Sequence, residues 1–185
     1  MKATKTNERD GEIKTVGDIA LHRKCLAFSP DQYVRIILPT MQYSRLGAAG
    51  VVDEQGKLVG MLSERDILRQ IFKLMASPVI APTNAVKHVD DMTVRDAMIK
   101  NPKCLDEDMD IETALAVMTE FGYRFMPVIS RDDPRKLLGI VDEREIAIHV
   151  KNRLDNIKRE AEAKESVLQY LFHEPYGVGF DPKSL

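Results

Sequence analysis

The spacing of apolar residues changes at regular points along the chain, and these changes predict alternating strands and helices. Apolar runs at Gly50–Asp53 and Lys57–Leu62 predict two strands joined by a tight turn at Glu54–Gly56. Beyond Ser63 apolar residues recur at the spacing of one helix face: Ile67, Leu68, Ile71, Phe72 and Met75. The segment is therefore predicted to be a β-hairpin followed by a closing helix.

A shorter strand and a helix are predicted ahead of this hairpin. Cys25–Phe28 has the composition of a strand, and Tyr33–Tyr43 has helical spacing. Proline lacks an amide hydrogen and its ring crowds the preceding turn, so Pro39 is expected to kink or interrupt that helix. The predicted order is β-α-β-β-α, a unit of about 60 residues that is near the lower limit for burying a core alone.

The same order of residues occurs twice in the chain. Three segments reappear 78 or 79 residues later: Thr15–Ala20 as Thr93–Met98, Lys24–Leu26 as Lys103–Leu105, and Gly60–Ile67 as Gly139–Ile146. In the second copy the strand Cys104–Leu105 is followed by a clean helical pattern, with Asp108 or Asp110 as its cap. A second closing helix is predicted to start at Asp142.

Two copies packed sheet to sheet would share one core. The predicted fold class is α/β (α+β), with two β-α-β-β-α repeats related by pseudo-twofold symmetry and a cleft for each copy where strand ends meet helix N-termini. The predicted divisions of the chain are a flexible N-terminus 1–14, repeat one 15–76, a linker 77–92, repeat two 93–152, and a C-terminal helix and tail 153–185.

The predicted C-terminal helix is rich in charge. Its first half has too few apolar positions to predict a coiled coil. The apolar residues of Val167–Phe172 could instead pack on the body or dock a partner. The sequence leaves both alternatives open.

Composition excludes several classes of function. The net charge of −2 and the absence of tryptophan among 185 residues give no case for nucleic-acid binding. No apolar run approaches the roughly 20 residues of a membrane span, and the first residues lack the apolar core of a signal peptide. Cys25 and Cys104 occupy equivalent positions and are interpreted as core residues rather than a redox pair. The two cysteines make no disulfide framework, so a reducing cytoplasm is the expected compartment. The four histidines are scattered, so no metal site is predicted.

The start of the first closing helix is the strongest candidate for a ligand site. Ser63 precedes the helix, where its hydroxyl and the free N–H groups of the first turn could hold a phosphate. Asp66 lies one turn on, within reach of a ribose diol. The same pair also fits a capping box, in which the two side chains satisfy each other's backbone donors and bind nothing. Spacing alone favours the capping box.

The order of these motifs resembles the cystathionine-β-synthase-type (CBS) domain. The first copy, TVGDI with GVVDEQGKLVGMLSERDIL, and the second, TVRDAM with RFMPVISRDDPRKLLGIVDEREI, are similar to a tandem pair of such domains. The resemblance covers roughly residues 15–150. It implies a Bateman module, a fold that binds AMP, ADP, ATP or S-adenosylmethionine and commonly assembles as a homodimer.

The resemblance also implies which residues would hold the ligand. The first copy keeps the family signature G-h-h-[ST]-x-x-D, in which Ser63 would contact phosphate or ribose and Asp66 the ribose hydroxyls. The main chain around two nearby segments would line the base pocket. The implied first site comprises Ser63, Asp66, Gly60, Arg65, Lys24, Cys25, Leu26, Gly47, Ala48 and Ala49.

The second copy departs from this signature. Asp142 replaces the serine and Glu145 replaces the aspartate, so an anionic cap would repel a phosphate. The pair still suits a helix N-terminus, because aspartate caps well and glutamate is favoured three residues on. A weaker second site would comprise Cys104, Arg124, Phe125, Met126, Asp142 and Glu145.

The sequence therefore predicts a regulatory protein and not an enzyme. The leading hypothesis is a stand-alone module that senses an adenine nucleotide or adenosyl ligand and passes the signal to an unknown regulated protein through a homodimer. The alternative is a ligand-free module that dimerises or docks another protein. No arrangement of catalytic side chains is left unexplained by the repeat.

Overall fold

A computed structural model describes residues 13–76 and 88–172. Its helices are α1 Val16–His22, α2 Val34–Ser44, α3 Glu64–Met75, α4 Val94–Ala97, α5 Ile111–Phe121 and α6 Glu143–Phe172. Its strands are β1 Ala27–Phe28, β2 Ala48–Val52, β3 Leu58–Ser63, β4 Ile99–Lys100, β5 Leu105–Asp106, β6 Phe125–Ile129 and β7 Leu137–Asp142. The predicted linker at 77–92 lies mostly outside the described residues, as does the tail beyond residue 172.

The chain divides into two units, Met1–Ala147 and Ile148–Leu185. The first unit contains all the described strands, and the described part of the second is the continuation of α6. No helix in the described ranges is long and apolar enough to cross a membrane.

The strands form two sheets of the same design. In the first sheet β1 pairs parallel with β2, which pairs antiparallel with β3, and β4 adds to the other edge of β3. In the second sheet β5 pairs parallel with β6, which pairs antiparallel with β7. Leu137 on β7 packs directly against Gly50 on β2. The mixed α/β fold with two packed repeats is thus as predicted.

The predicted hairpins and helix caps are present. In the first copy, Asp53 accepts hydrogen bonds from Gln55 and Lys57, and Gly56 adopts the positive φ of 75° that its turn requires. In the second copy, the side chain of Asp110 caps α5 by accepting from the amide of Thr113 at 2.8 Å. Local sequence alone was therefore sufficient to predict this turn and this helix cap.

Of the two outcomes predicted for Pro39, a kink or an interruption of its helix, the interruption does not occur, because α2 continues through Pro39. Pro39 lies on the exposed face of α2. The amide hydrogen bond that proline removes would end on Arg35, which is also exposed, so water can satisfy its carbonyl group. The buried face of α2, formed by Val34, Ile37 and Met41, is unaffected.

Two helices, α1 and α4, were not predicted from the sequence. Each of them docks on the copy to which it does not belong in sequence. Helix α1 precedes the first copy but docks on the second, where the amide of Val16 donates to the carbonyl of Met109 at 2.9 Å. Helix α4 precedes the second copy but docks on the first, where the amide of Val94 donates to the carbonyl of Gln32 at 2.8 Å. Each copy is therefore completed by a segment that belongs to the other in sequence.

The signature glycine of each copy accommodates one of these exchanged segments. A Cβ atom on Gly60 would lie 2.7 Å from the sulfur of Met98, at the end of α4. A Cβ atom on Gly139 would lie 2.9 Å from the Cβ and the carbonyl oxygen of Ala20, in α1. At Gly139 the close neighbours include backbone atoms, so glycine is required for packing there, whereas at Gly60 the closest atom belongs to a flexible side chain that could shift.

We expect Gly17→Ala to destabilise the protein by about 1–3 kcal/mol. The new Cβ would lie 2.5 Å from the backbone oxygen of Glu107, so α1 would have to move away from the second copy. Thermal unfolding followed by circular dichroism measures the change. Arg95→Ala, at the equivalent position of α4, is the matched control, because Arg95 is exposed and contributes a surface ion pair with Asp31. Equal melting temperatures for the two variants would contradict the exchanged packing.

Candidate functional site

Ser63 and Asp66 form the capping box at the start of α3. The amide of Asp66 donates to Ser63 Oγ at 3.3 Å, and the amide of Ser63 donates to Asp66 Oδ2 at 3.0 Å. Ser63 Oγ also donates a hydrogen bond to the same carboxylate oxygen. Both residues are buried, and such a cap contributes about 1 kcal/mol. The capping alternative is therefore realised in the structure.

The second carboxylate oxygen of Asp66, Oδ1, is paired with an exposed arginine side chain. Arg69 Nη1 lies 3.1 Å from Asp66 Oδ1, and the side chain of Arg69 is 56% exposed. An ion pair with so much exposure is worth little. Oδ1 takes no part in the cap, which uses Oδ2.

A cavity of about 260 Å³ opens at this helix start. Its size is close to the lower end of small-molecule pockets, about 300 Å³. It is lined by Gly47, Ser63, Glu64, Arg65, Leu68, Arg124 and Phe125. The first five belong to the first copy and the last two to the second, so this cavity lies between the copies.

Two exposed guanidinium groups border the cavity. Arg65 is in the first turn of α3, and Arg124 immediately precedes β6. The N-terminus of α3 adds the partial positive charge of its free N–H groups. Glu64 is the single carboxylate among the lining residues, so the cavity favours an anion.

Phe125 and Gly47 form the narrow part of this site. The Phe125 ring is so close to Gly47 that a Cβ atom there would lie 2.7 Å from the ring. Arg124 also covers the Phe125 ring, with its guanidinium carbon 4.9 Å from the ring centroid. An aromatic face beside bare main chain can hold a flat base.

The structure groups the predicted site residues differently from the sequence. Lys24 and Cys25 line a smaller cavity of about 20 Å³, which shares Gly47 and Phe125 with the first and has room for about one water molecule. Arg124 and Phe125, which were predicted to belong to the second site, line the cavity of Ser63. The reason is the pseudo-twofold packing, which brings the start of β6 against the start of β2.

Other predicted residues of the first site support the sheet rather than line the large cavity. Gly60 faces α4, and Ala49 is completely buried opposite Leu62 on β3. The carbonyl of Leu26 accepts from the amide of Gly50 at 2.8 Å. Ala48 borders the small cavity.

The predicted second site is engaged by the chain itself. Glu145 forms an ion pair with Arg23, which was not among the predicted site residues. Asp142 accepts from the amide of Arg144 at 2.8 Å, so it caps α6 as expected. Met126 is buried in β6, opposite Val141. The position equivalent to Asp66 is thus already paired with a guanidinium group.

Arg23 was missed because its partner is distant in sequence. It lies beside Lys24 in a polar stretch, and the equivalent residue in the second copy is Pro102. The arginine in one copy where the other has proline was the sequence signal that could have identified Arg23. It marks a contact that the repeat does not explain.

The cysteines show no sign of redox activation. Both are free thiols. Burial raises the pKa of the Cys25 thiol, although the amide of Gly50 and the charge of Arg23 act in the opposite direction. Burial also raises the pKa of the Cys104 thiol. Raised pKa values favour the unreactive thiol over the thiolate.

The described residues contain no cluster of histidine, cysteine and carboxylate side chains that could hold a metal ion. Among the predicted site residues, Gly47, Ser63, Arg65, Arg124 and Phe125 border the larger cavity, whereas Asp66, buried in the cap with Ser63, is not one of its lining residues. The cavity at Ser63 is therefore the candidate ligand site.

Comparison with known proteins identifies the family. A family model for the CBS domain matches residues 16–73 and 94–152. These two matches cover more than half of the chain, and the chain belongs to the CBS-domain family. An uncharacterised protein of Methanopyrus kandleri, MK0525, is 29% identical over 132 residues, which cover 71% of this chain and 60% of that protein. The chain thus spans less than two thirds of this relative.

Solved structures share the fold. CBSX2 in complex with AMP matches with a TM-score of 0.60 at 22% identity, covering 76% of this chain and 98% of that one. The CBS domain pair of MJ0100, in complex with 5′-methylthioadenosine and S-adenosyl-L-methionine, matches with a TM-score of 0.60 at 21% identity and the same coverages. At these identities the likeness establishes the fold alone.

Proposed function

We propose that this protein is a non-catalytic regulatory module that binds an adenine nucleotide or related adenosyl ligand in the cavity at the start of α3. One observation carries the proposal: a helix N-terminus with Ser63 meets two guanidinium groups, Arg65 and Arg124, at one cavity. Helix N-termini and arginines both bind phosphate. The AMP and S-adenosylmethionine complexes of proteins with this fold support the ligand class.

The geometry suggests how such a ligand would lie. Phosphate would occupy the region between Arg65 and Arg124. The ribose diol would replace Arg69 as the hydrogen-bond partner of Asp66 Oδ1. The base would lie against Phe125, where Gly47 presents no side chain.

The walls of the cavity come from both copies, which gives binding a route to regulation. A ligand that contacts Ser63 and Arg124 together would favour the packing of the copies in which both reach it. It can shift that packing only by its difference in affinity between the two arrangements. A partner protein that contacts both copies would then respond to the ligand.

Mass spectrometry of small molecules released from the denatured, purified protein would identify a ligand that survives purification. Isothermal titration calorimetry of stripped protein with AMP, ADP, ATP and S-adenosylmethionine would then measure affinity. We expect one molecule bound per chain, because Glu145 at the equivalent second position is paired with Arg23. Absence of binding to all four compounds would refute the proposal.

The double variant Ser63→Ala, Asp66→Ala is expected to abolish binding. The pair Thr93–Asp96 of α4 offers a control, because the amide and hydroxyl of Thr93 donate to the Asp96 carboxylate as those of Ser63 donate to Asp66, and the pair does not border the cavity. Thr93→Ala with Asp96→Ala should cost about as much stability, about 1 kcal/mol, and leave binding intact. Equal loss of binding in both variants would mean that capping, not ligand contact, is responsible.

The alternative class, a ligand-free docking module, has one observation in its favour. Helix α3 exposes Leu68, Phe72 and Met75, each more than half accessible. Exposed apolar patches of this kind mark interaction surfaces. This alternative predicts no ligand in calorimetry and loss of a partner, but not of stability, on Phe72→Glu.

A further inference from the structure

Helix α6 carries a regular apolar stripe from Val150 onward. The helix is continuous to Phe172, and the residues of the stripe alternate in spacings of four and three. The stripe consists of Val150, Leu154, Ile157, Ala161 and Leu168, with Lys164 as the polar member of the same series. A mean spacing of 3.5 residues is the repeat that keeps one seam facing a partner helix in a coiled coil.

The stripe is accessible. Leu154, Ile157 and Leu168 are 57%, 55% and 53% exposed. The groove beside Leu168 is lined by Ala163, Lys164 and Val167. Exposed apolar side chains in one line along a helix mark a surface that binds another helix.

A coiled coil was not predicted for this segment, because apolar residues are few in its first half. The unbroken helix changes that expectation. Leu154, Ile157 and Ala161 fall in phase with Leu168, so their spacing matters more than their number.

We propose that this stripe pairs with the same stripe of a second copy of the chain, as an antiparallel two-stranded coiled coil centred near Arg159. Val150 would then lie opposite Leu168 of the second copy, and Ile157 opposite Ala161. Leu154 would lie opposite Lys164. The proposal does not depend on any ligand.

Lys164 determines the orientation. In a parallel pair in register, Lys164 would face Lys164 of the second copy inside the seam, which places two like charges together. In the antiparallel pair each Lys164 faces Leu154, and its long side chain can cover the leucine and extend its ammonium group into water. A single lysine in a seam is known to select register and partner arrangement.

The charges flanking the stripe favour the same orientation. A parallel pair would place Arg153 near Lys158 and Glu160 near Glu165, each a like-charge contact that occurs twice. The antiparallel pair places Lys151 near Glu165 of the second copy on both sides of the centre, and it brings Lys158 and Glu160 each near its own counterpart, one like-charge contact apiece. Electrostatic complementarity of this kind sets orientation and partner choice.

Analytical ultracentrifugation of the full chain tests the interface. The double variant Leu154→Glu, Ile157→Glu is expected to raise the dimer dissociation constant by about 100-fold or more, because charges replace two apolar layers. The control Asn152→Glu, Asn156→Glu adds the same charges to the same part of the helix, on the side away from the stripe, and should leave the dimer unchanged. Circular dichroism verifies that α6 remains helical in both. A dimer that persists in the first variant, or a wild-type monomer at high concentration, overturns the proposal.

Disulfide cross-linking tests the orientation, in chains with Cys25 and Cys104 replaced by serine. In the antiparallel pair the two copies of residue 150 lie about 27 Å apart, so Val150→Cys alone should not cross-link. A mixture of Val150→Cys and Leu168→Cys chains should give the mixed disulfide dimer on mild oxidation. Cross-linking of Val150→Cys chains with each other would show a parallel pair and overturn the proposal.

Discussion

Replacing Arg124 with glutamate is expected to weaken ATP binding by about 10- to 100-fold at low salt. Arg124 borders the cavity with Arg65 at the start of α3, so the substitution changes the charge facing a bound phosphate by two units. Interactions between charges a few ångströms apart near a protein surface are worth a few kcal/mol and are weakened by salt. Calorimetry at two ionic strengths measures the change. The loss should shrink as salt is added.

The effect should increase with the number of phosphates. Adenosine, which has none, should bind the Arg124→Glu variant as it binds the wild type, and AMP should be intermediate. Arg144→Glu is the matched control, since Arg144 is the counterpart of Arg65 in the second copy and does not border the cavity. If adenosine and ATP lose affinity equally, Arg124 does not contact phosphate.

Leu62→Ala is expected to lower the free energy of unfolding by about 2–5 kcal/mol. Leu62 is completely buried in β3 and belongs to the core of the first copy, with Ile37, Met41 and Ile67. Truncation removes apolar contacts and leaves a void that the sheet cannot fill. For a chain of this length the melting temperature should fall by about 5–15 °C.

Leu21→Ala provides the control for this prediction, because the same atoms are removed from a side chain that is 66% exposed. Its effect should be within about 0.5 kcal/mol. Urea denaturation of both variants gives the comparison. A loss of stability at Leu62 no larger than that at Leu21 would mean that the core of the first copy is not packed as described.

The parts of the fold that local sequence determines were predictable. Ser63 with Asp66 and Asp110 with Thr113 are separated by three residues, and the spacing alone predicts a cap. Gly56 ends the tight turn between β2 and β3. The internal repeat then predicted the second sheet from the first. The local error at Pro39 arose because the exposure of a helix face is not visible in one short segment.

The parts that depend on packing between the copies were not predictable. The contact of Phe125 with Gly47 and the ion pair of Arg23 with Glu145 join residues that are far apart in sequence. Because of this packing, Arg124 and Phe125 border the cavity of Ser63, whereas Lys24 borders a much smaller one. The capping boxes of α1 and α4 were visible as Thr15–Asp18 and Thr93–Asp96, but no local signal shows that these helices dock on the other copy.

The exchange of α1 and α4 has a consequence for how such a chain can be divided. A fragment that ends between the copies would keep β1, β2 and β3 but lose β4 and the α4 segment that covers Gly60. It would also retain an α1 with nothing to dock on. Neither half is a complete structural unit by itself, although each matches the family pattern. The smallest piece that recombination can transfer intact is the pair.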